Sequence, residues 1–84
     1  MQQPDIKPGN YYVSCRDDNG RTLMLLGPFV NDHAKALSMV NIGDKLAQES
    51  GDPKAWFYSY GTCRTDPATF SKPGIFNAKA GLAA

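Results

Sequence analysis

The sequence predicts an α+β fold with the element order ββαβ, in which a three-stranded, mainly antiparallel sheet is covered on one face by one helix. Three features predict this fold. A strand-like alternation leads into an Asn-Gly turn, a stretch with helical periodicity follows, and an aromatic run comes after it. A two-layer sandwich is the simplest arrangement in which these elements bury their apolar sides.

The first two predicted strands form a hairpin. Residues 10–16 alternate along the chain, so that odd-numbered side chains project to one face and even-numbered side chains to the other. Asn19-Gly20 favours the positive φ values of a tight turn. The second strand runs from Thr22 to Leu26 and continues less regularly to Phe29, because Gly27-Pro28 should end regular pairing, since proline lacks a backbone donor.

One helix is predicted after the hairpin. Asn31 or Asp32 can cap its first turn, and Gly51 followed by Pro53 ends it. Its apolar stripe consists of Ala36, Met39, Val40, Gly43, Leu46 and Ala47. Glycine weakens a helix by about 1 kcal/mol relative to alanine, so we expect Gly43 to mark a close approach of the helix to the sheet.

The aromatic run at residues 56–60 predicts a third strand, which could extend to Arg64. It can lie beside either strand of the hairpin. Residues 10–65 then form a single domain, preceded by a flexible lead-in at residues 1–9. Residues 66–84 form an irregular tail that could dock onto the domain.

The cysteine content favours a reducing compartment. The 84 residues contain only Cys15 and Cys63, whereas small secreted domains usually carry four or more cysteines. If the third strand lies antiparallel beside the first, the two cysteines fall toward opposite ends of the sheet, too far apart for a disulfide. The first ten residues also lack the apolar core of a signal peptide, and no apolar run is long enough to cross a membrane. We therefore expect a cytoplasmic protein with two free thiols.

Charge and composition exclude several classes of function. Nine basic residues balance eight acidic ones, which argues against an acidic nucleic-acid mimic and against a strongly basic nucleic-acid coater. His33 and Glu49 are the only residues of their types, and no nucleophile–base–orienter trio appears. We expect a non-enzymatic protein with no catalytic residues, no cofactor and no metal site.

Binding is the remaining class of function. The leading hypothesis is protein–protein contact, including self-association, through a sheet edge or an aromatic sheet face. The alternative is nucleic-acid binding, in which the aromatic face stacks bases and nearby arginines contact the backbone. A third arrangement is a monomer in which the tail covers a sheet edge or one aromatic set. The candidate partner-binding residues are Tyr12, Arg16, Trp56, Tyr58, Tyr60 and Arg64.

Two resemblances accompany this interpretation. The pattern formed by residues 11–14, 20–21, 25–29, 52–58 and 61–64 is similar to small uncharacterised proteins of bacterial plasmids, integrative elements and phages. That resemblance implies an accessory role on a mobile element, through binding to a protein or a nucleic acid, and supplies no catalytic residues.

A shorter stretch resembles part of the SPOR peptidoglycan-binding domain. Tyr11-Tyr12-Val13-Ser14, then Leu26-Gly27-Pro28-Phe29 and the alanine-rich start of the helix carry this likeness. It covers under half of the chain, and the two-fold βαβ repetition of that family is missing. SPOR domains also act in the periplasm, so we discount this resemblance.

Overall fold

The computed structural model describes residues 4–17, 19–50, 58–66 and 72–82. The elements are β1 (Asn10–Arg16), β2 (Thr22–Val30), α1 (His33–Ser38), α2 (Val40–Glu49) and β3 (Ser59–Thr65). The strands form one open sheet in the order β2-β1-β3, both pairings are antiparallel, and the helices pack against the sheet. The predicted α+β class is confirmed, and the third strand lies beside the first.

The hairpin turn is longer than the Asn-Gly pair alone predicts. The Asp17 amide donates to the Arg21 carbonyl at 3.0 Å, and the Gly20 amide donates to the Asp17 carbonyl at 3.1 Å. Among the described residues of this turn, Gly20 alone has a positive φ, +80°. This is the pattern of a three-residue loop in which a turn is followed by one left-handed residue.

The Asp17 carboxylate stabilises the turn by accepting three hydrogen bonds. It accepts the backbone N–H groups of Asn19 and Arg21 at 3.0 and 2.9 Å, and the Arg21 Nε at 3.1 Å. The Arg21 backbone N–H, with smaller contributions from Asn19 and the Arg21 side chain, lowers the pKa of Asp17 below its ordinary value of 3.8. The charged form of Asp17 therefore stabilises the hairpin.

We expect Asp17→Asn to be less stable than the wild type at pH 7 because it loses charge-assisted hydrogen bonds. Since the pKa of Asp17 is depressed by folding, this stabilisation is complete above pH 3.8 and disappears as the pH falls through the lower folded value. Urea midpoints followed by circular dichroism should show the gap between the two proteins shrinking below about pH 4. Glu49→Gln, which removes an exposed carboxylate elsewhere, controls for net charge. A constant gap from pH 7 to pH 2 would contradict the prediction.

The pairing of β1 with β2 contains two irregularities. Val13 pairs with Leu26 but Ser14 pairs with Met24, so Leu25 is an extra residue on β2. Leu25 and Leu26 are consequently both buried, although they are neighbours on one strand. Pairing resumes beyond Gly27-Pro28 as far as Val30, so that dipeptide shifts the register without ending the strand.

The single predicted helix is two helices. Asp32 caps α1, with its Oδ1 accepting the Lys35 amide at 3.0 Å, as the sequence predicts for that position. The helix then breaks at Met39, whose φ and ψ are −102° and 0°. The Met39 amide donates to the Ala36 carbonyl at 3.1 Å, a short-range bond that tightens the end of α1 before α2 begins. Ser50 forms the C-cap of α2, and Gly51 lies outside the described residues.

Gly43 marks a close helix–sheet contact, as the sequence predicts. A Cβ atom at this position would lie 2.6 Å from Val13 Cγ1, inside van der Waals contact. The core beneath the helices consists of Val13, Cys15, Leu25, Leu26, Met39 and Ala47.

Both cysteines are free thiols, as expected, with Cys15 buried and Cys63 half-buried. Cys15 pairs with Tyr60, three positions from Cys63 along the strand. At about 3.3 Å per residue the two cysteines are roughly 10 Å apart, beyond the reach of a disulfide.

The tail residues that the structure describes lie along the outer edge of β2. The amides of Gly74, Ile75 and Phe76 donate to carbonyls of Gly27, Met24 and Leu25 at 3.0, 3.1 and 2.9 Å. The Asn77 side chain adds to this contact, because its Oδ1 accepts the Gly27 amide and its amide nitrogen donates to the Gly27 carbonyl. Turns follow over residues 75–81.

The lead-in segment is also tied to the domain in its described part. The Asp5 amide donates to His33 Nδ1 at 2.7 Å, and the Gly9 amide donates to Asn31 Oδ1 at 2.9 Å. Composition alone predicts flexibility for this segment, because it has few apolar groups that could pack against the domain. In the structure, the side chains of Asn31, just before α1, and His33, at its start, accept hydrogen bonds from the segment.

Candidate binding surface

The direction of the backbone hydrogen bonds identifies which groups of the sheet face outward. The Asp17 amide bonds across to the Arg21 carbonyl, and the Asn31 amide bonds across to the Gly9 carbonyl. The odd-numbered positions of β1 therefore bond toward β2, and its even-numbered positions bond toward β3.

The same alternation applies to β3. The partners of the even-numbered positions of β1 include Ser59, Gly61 and Cys63, so these residues direct their backbone groups inward. Thr62 and Arg64 pair with odd-numbered residues of β1, and they direct their N–H and C=O groups away from the sheet. These groups form the outer edge of β3.

The outer edge of β3 is regular and long. All seven residues of β3 pair with β1 without a register shift. The strand contains no proline and no lysine, and Arg64 is its only charged residue. Within the described ranges of the chain no strand pairs with this edge. Natural proteins usually protect such edges with bulges, lysines or prolines, and this strand has none of these devices.

A buried network supports the middle of this edge. Thr62 Oγ1 lies 2.8 Å from His33 Nε2, and the His33 ring stacks on Tyr11 with ring centres 4.7 Å apart. Because Nδ1 accepts the Asp5 amide, the ring proton lies on Nε2, which donates to the Thr62 hydroxyl. The Thr62 side chain is thereby fixed, while its backbone groups face outward.

Arg64 lies near the end of the same edge, and its side chain is directed toward the residues that precede β1. It is exposed, its Nη1 donates to the Pro8 carbonyl at 3.2 Å, and its aliphatic stem lies against Gly9. A Cβ at Gly9 would come within 2.7 Å of Arg64 Cγ, so only glycine allows this approach, and its φ of +157° also favours glycine.

The predicted aromatic residues do not form an exposed set in the described part of the chain. Tyr12 has no exposed surface, and its hydroxyl donates to the Lys72 carbonyl at 2.6 Å, so the tail covers its ring. Tyr58 and Tyr60 are half-buried and pack against the core. Trp56 lies outside the described residues, and β3 begins at Ser59.

The two predicted arginines lie far apart. Arg16 pairs with Ser59 at one end of β3, and Arg64 pairs with Tyr11 near the other end. Five residues of strand separate the two positions, about 17 Å. The strand alternation also places them on opposite faces of the sheet, so together they form no continuous basic track.

The sheet face opposite the helices carries a shallow groove of about 270 Å³ near the hairpin end, lined in part by Ser14, Arg16 and Ser59. Cys63 also lines it, and its Sγ donates to Met24 Sδ at 3.3 Å. Burial raises the pKa of the Cys63 thiol above its ordinary value of 9.0, so the thiol is neutral at pH 7.

The sequence does not predict the hydrogen bond between His33 and Thr62. It shows only a single histidine near the start of a helix, and nothing in the pattern indicates that this histidine contacts a residue of the third strand.

Among the described residues, no three His, Cys, Asp or Glu side chains lie close enough together to hold a metal ion. Neither α1 nor α2, the helices in that part of the chain, has the length and apolar character of a membrane span. Comparisons with protein-family models, curated proteins and solved structures find no match.

Proposed function

We propose that this chain is a non-enzymatic protein-binding module, which pairs the outer edge of β3 with an extended segment of a partner protein. The observation that carries the proposal is the seven-residue, bulge-free ladder of β3, with the backbone groups of Thr62 and Arg64 directed outward. A partner strand would supply main-chain hydrogen bonds there, and alternate side chains would supply selectivity.

The two edges of the sheet differ, and this difference supports the choice of β3. The outer edge of β2 already receives three backbone hydrogen bonds from the tail. The aromatic alternative has less support, because Tyr12 is buried and the predicted arginines lie on opposite faces. The proposal therefore favours protein contact over nucleic-acid binding.

The cellular setting belongs to the same proposal. Two free cysteines that cannot reach each other fit a reducing compartment, so a cytoplasmic location is proposed. The resemblance to accessory proteins of plasmids, integrative elements and phages is consistent with a small chain that acts by binding.

Arg64→Pro is expected to abolish strand pairing at this edge, because proline removes an outward N–H and leaves the bonds between β1 and β3 in place. Arg64→Ala removes the same side chain but keeps the N–H, and it is the matched control. The probe is a phage-displayed library of ten-residue peptides, selected on the wild-type protein.

Selected peptides should bind the wild type and Arg64→Ala within about threefold of each other, but bind Arg64→Pro at least tenfold more weakly, a loss of about 1.4 kcal/mol. Amide shift changes in NMR spectra should centre on Thr62 and Arg64. Failure to select any peptide, or equal binding to all three proteins, would overturn the proposal.

A further inference from the structure

We infer that β3 pairs with β3 of a second copy of this chain, antiparallel and centred on Thr62, so that two sheets join into one. This inference rests on the proposed function and names the partner segment. It starts from the observation that the edge is compatible with itself under a two-fold rotation, the commonest symmetry of protein dimers.

The register follows from the residues that face outward. In an antiparallel ladder, residues that direct their backbone groups toward the partner pair with one another. Centring the ladder on Thr62 aligns all seven residues of β3, with the two Thr62 residues exchanging N–H···O=C bonds. Any other centre leaves part of the strand unpaired.

Charge favours the same register. Arg64 of one copy lies opposite position 60 of the other on each side of the axis, so the two Arg64 residues are kept apart. Centring on Arg64 would instead place two like charges opposite each other, which opposes that register.

Electrostatic repulsion between copies is small. The whole chain carries a formal charge of +1, and β3 contributes only Arg64.

The Thr62 side chain is held by His33 at 2.8 Å, so the central residue is fixed before association. Ordering a mobile segment would otherwise oppose binding.

The size of the assembly tests the inference. Sedimentation equilibrium of the wild type should give a molar mass that rises with concentration from 9.1 kDa toward twice that value. Pairing along one strand makes a small interface, so a concentration dependence is expected. Thr62→Pro should remain at 9.1 kDa at every concentration, whereas Thr62→Ser, which keeps both the hydroxyl bound to His33 and the backbone N–H, should still associate.

Cross-linking tests the register with variants that keep every backbone N–H group of β3. In this register Gly61 lies opposite Cys63 of the second copy, in a pair without mutual hydrogen bonds and with Cα atoms about 4.5 Å apart. A Cβ at Gly61 meets no other atom within 4 Å, so Gly61→Cys fits the fold. Under mild oxidation Gly61→Cys should form a covalent dimer through Cys63, whereas Ser59→Cys, which faces Thr65 of the second copy, should not.

The outcomes separate this inference from the function on which it rests. A mass of 9.1 kDa at all concentrations overturns self-pairing, and peptide selection by that monomer would leave the proposed function standing. A dimer that survives Thr62→Pro, or that cross-links equally through Ser59→Cys, overturns the register and the β3 interface together.

Discussion

Replacing Tyr12 with alanine is expected to destabilise the fold by about 4 kcal/mol, the effect of removing a large aromatic side chain from a fully buried site. The Tyr12 ring has no exposed surface, and its hydroxyl bonds to the Lys72 carbonyl at 2.6 Å. The variant therefore loses both the packing and the link to the tail. Since a domain of this size has a free energy of unfolding of about 4–13 kcal/mol, the loss is a large fraction of the total.

The companion variant Tyr12→Phe separates packing from hydrogen bonding. It keeps the ring and should cost only about 1 kcal/mol, the typical value for one hydrogen bond. Urea unfolding of both variants gives the comparison. If Tyr12→Ala were as stable as the wild type, the ring would be a surface group, and Tyr12 would again be a candidate partner-binding residue.

Gly74→Ala is expected to destabilise the fold by about 3 kcal/mol, or to release the tail from β2, because the added methyl group has no room. Its Cβ would lie 2.5 Å from the Leu25 carbonyl oxygen and 2.6 Å from Leu26 Cα, and both are backbone atoms. Backbone atoms cannot move aside as a flexible side chain can, so the clash is not relieved locally.

Gly61→Ala is the matched control for this glycine, since a Cβ there meets nothing within 4 Å. We expect it to be neutral or slightly stabilising, because alanine restricts the unfolded chain. Thermal unfolding and exchange of the Phe76 amide give the comparison. Equal stability of the two variants, with the Phe76 amide still protected in both, would show that the tail does not pack against β2 as described.

The sequence predicts those parts of the fold that local patterns determine. Alternation in β1, the cap at Asp32 and the close approach at Gly43 each depend on a few neighbouring residues. The break at Met39 does not, because an apolar side chain fits a continuous helical stripe and a broken one equally well. The bulge at Leu25 is likewise a property of the pairing and not of the single strand.

The binding surface was predictable only in part. Open sheet edges follow from a three-stranded sheet, but the choice between them depends on the tail, which docks on β2 through backbone groups that leave no pattern in the sequence. Tyr12 was a candidate because an aromatic face of the sheet was expected to bind a partner, whereas Lys72, 60 residues away, supplies a contact that buries it.

The tail on β2 also limits the size of any assembly. A sheet with two open sides can add strands at both, and identical subunits then polymerise into open-ended filaments. Because residues 74–76 occupy one side, growth by strand addition stops after a single step. The hydrogen bonds between Asn77 and Gly27 thus help to prevent further strands from adding at the β2 edge. A substitution that weakened these bonds would favour fibrous aggregation.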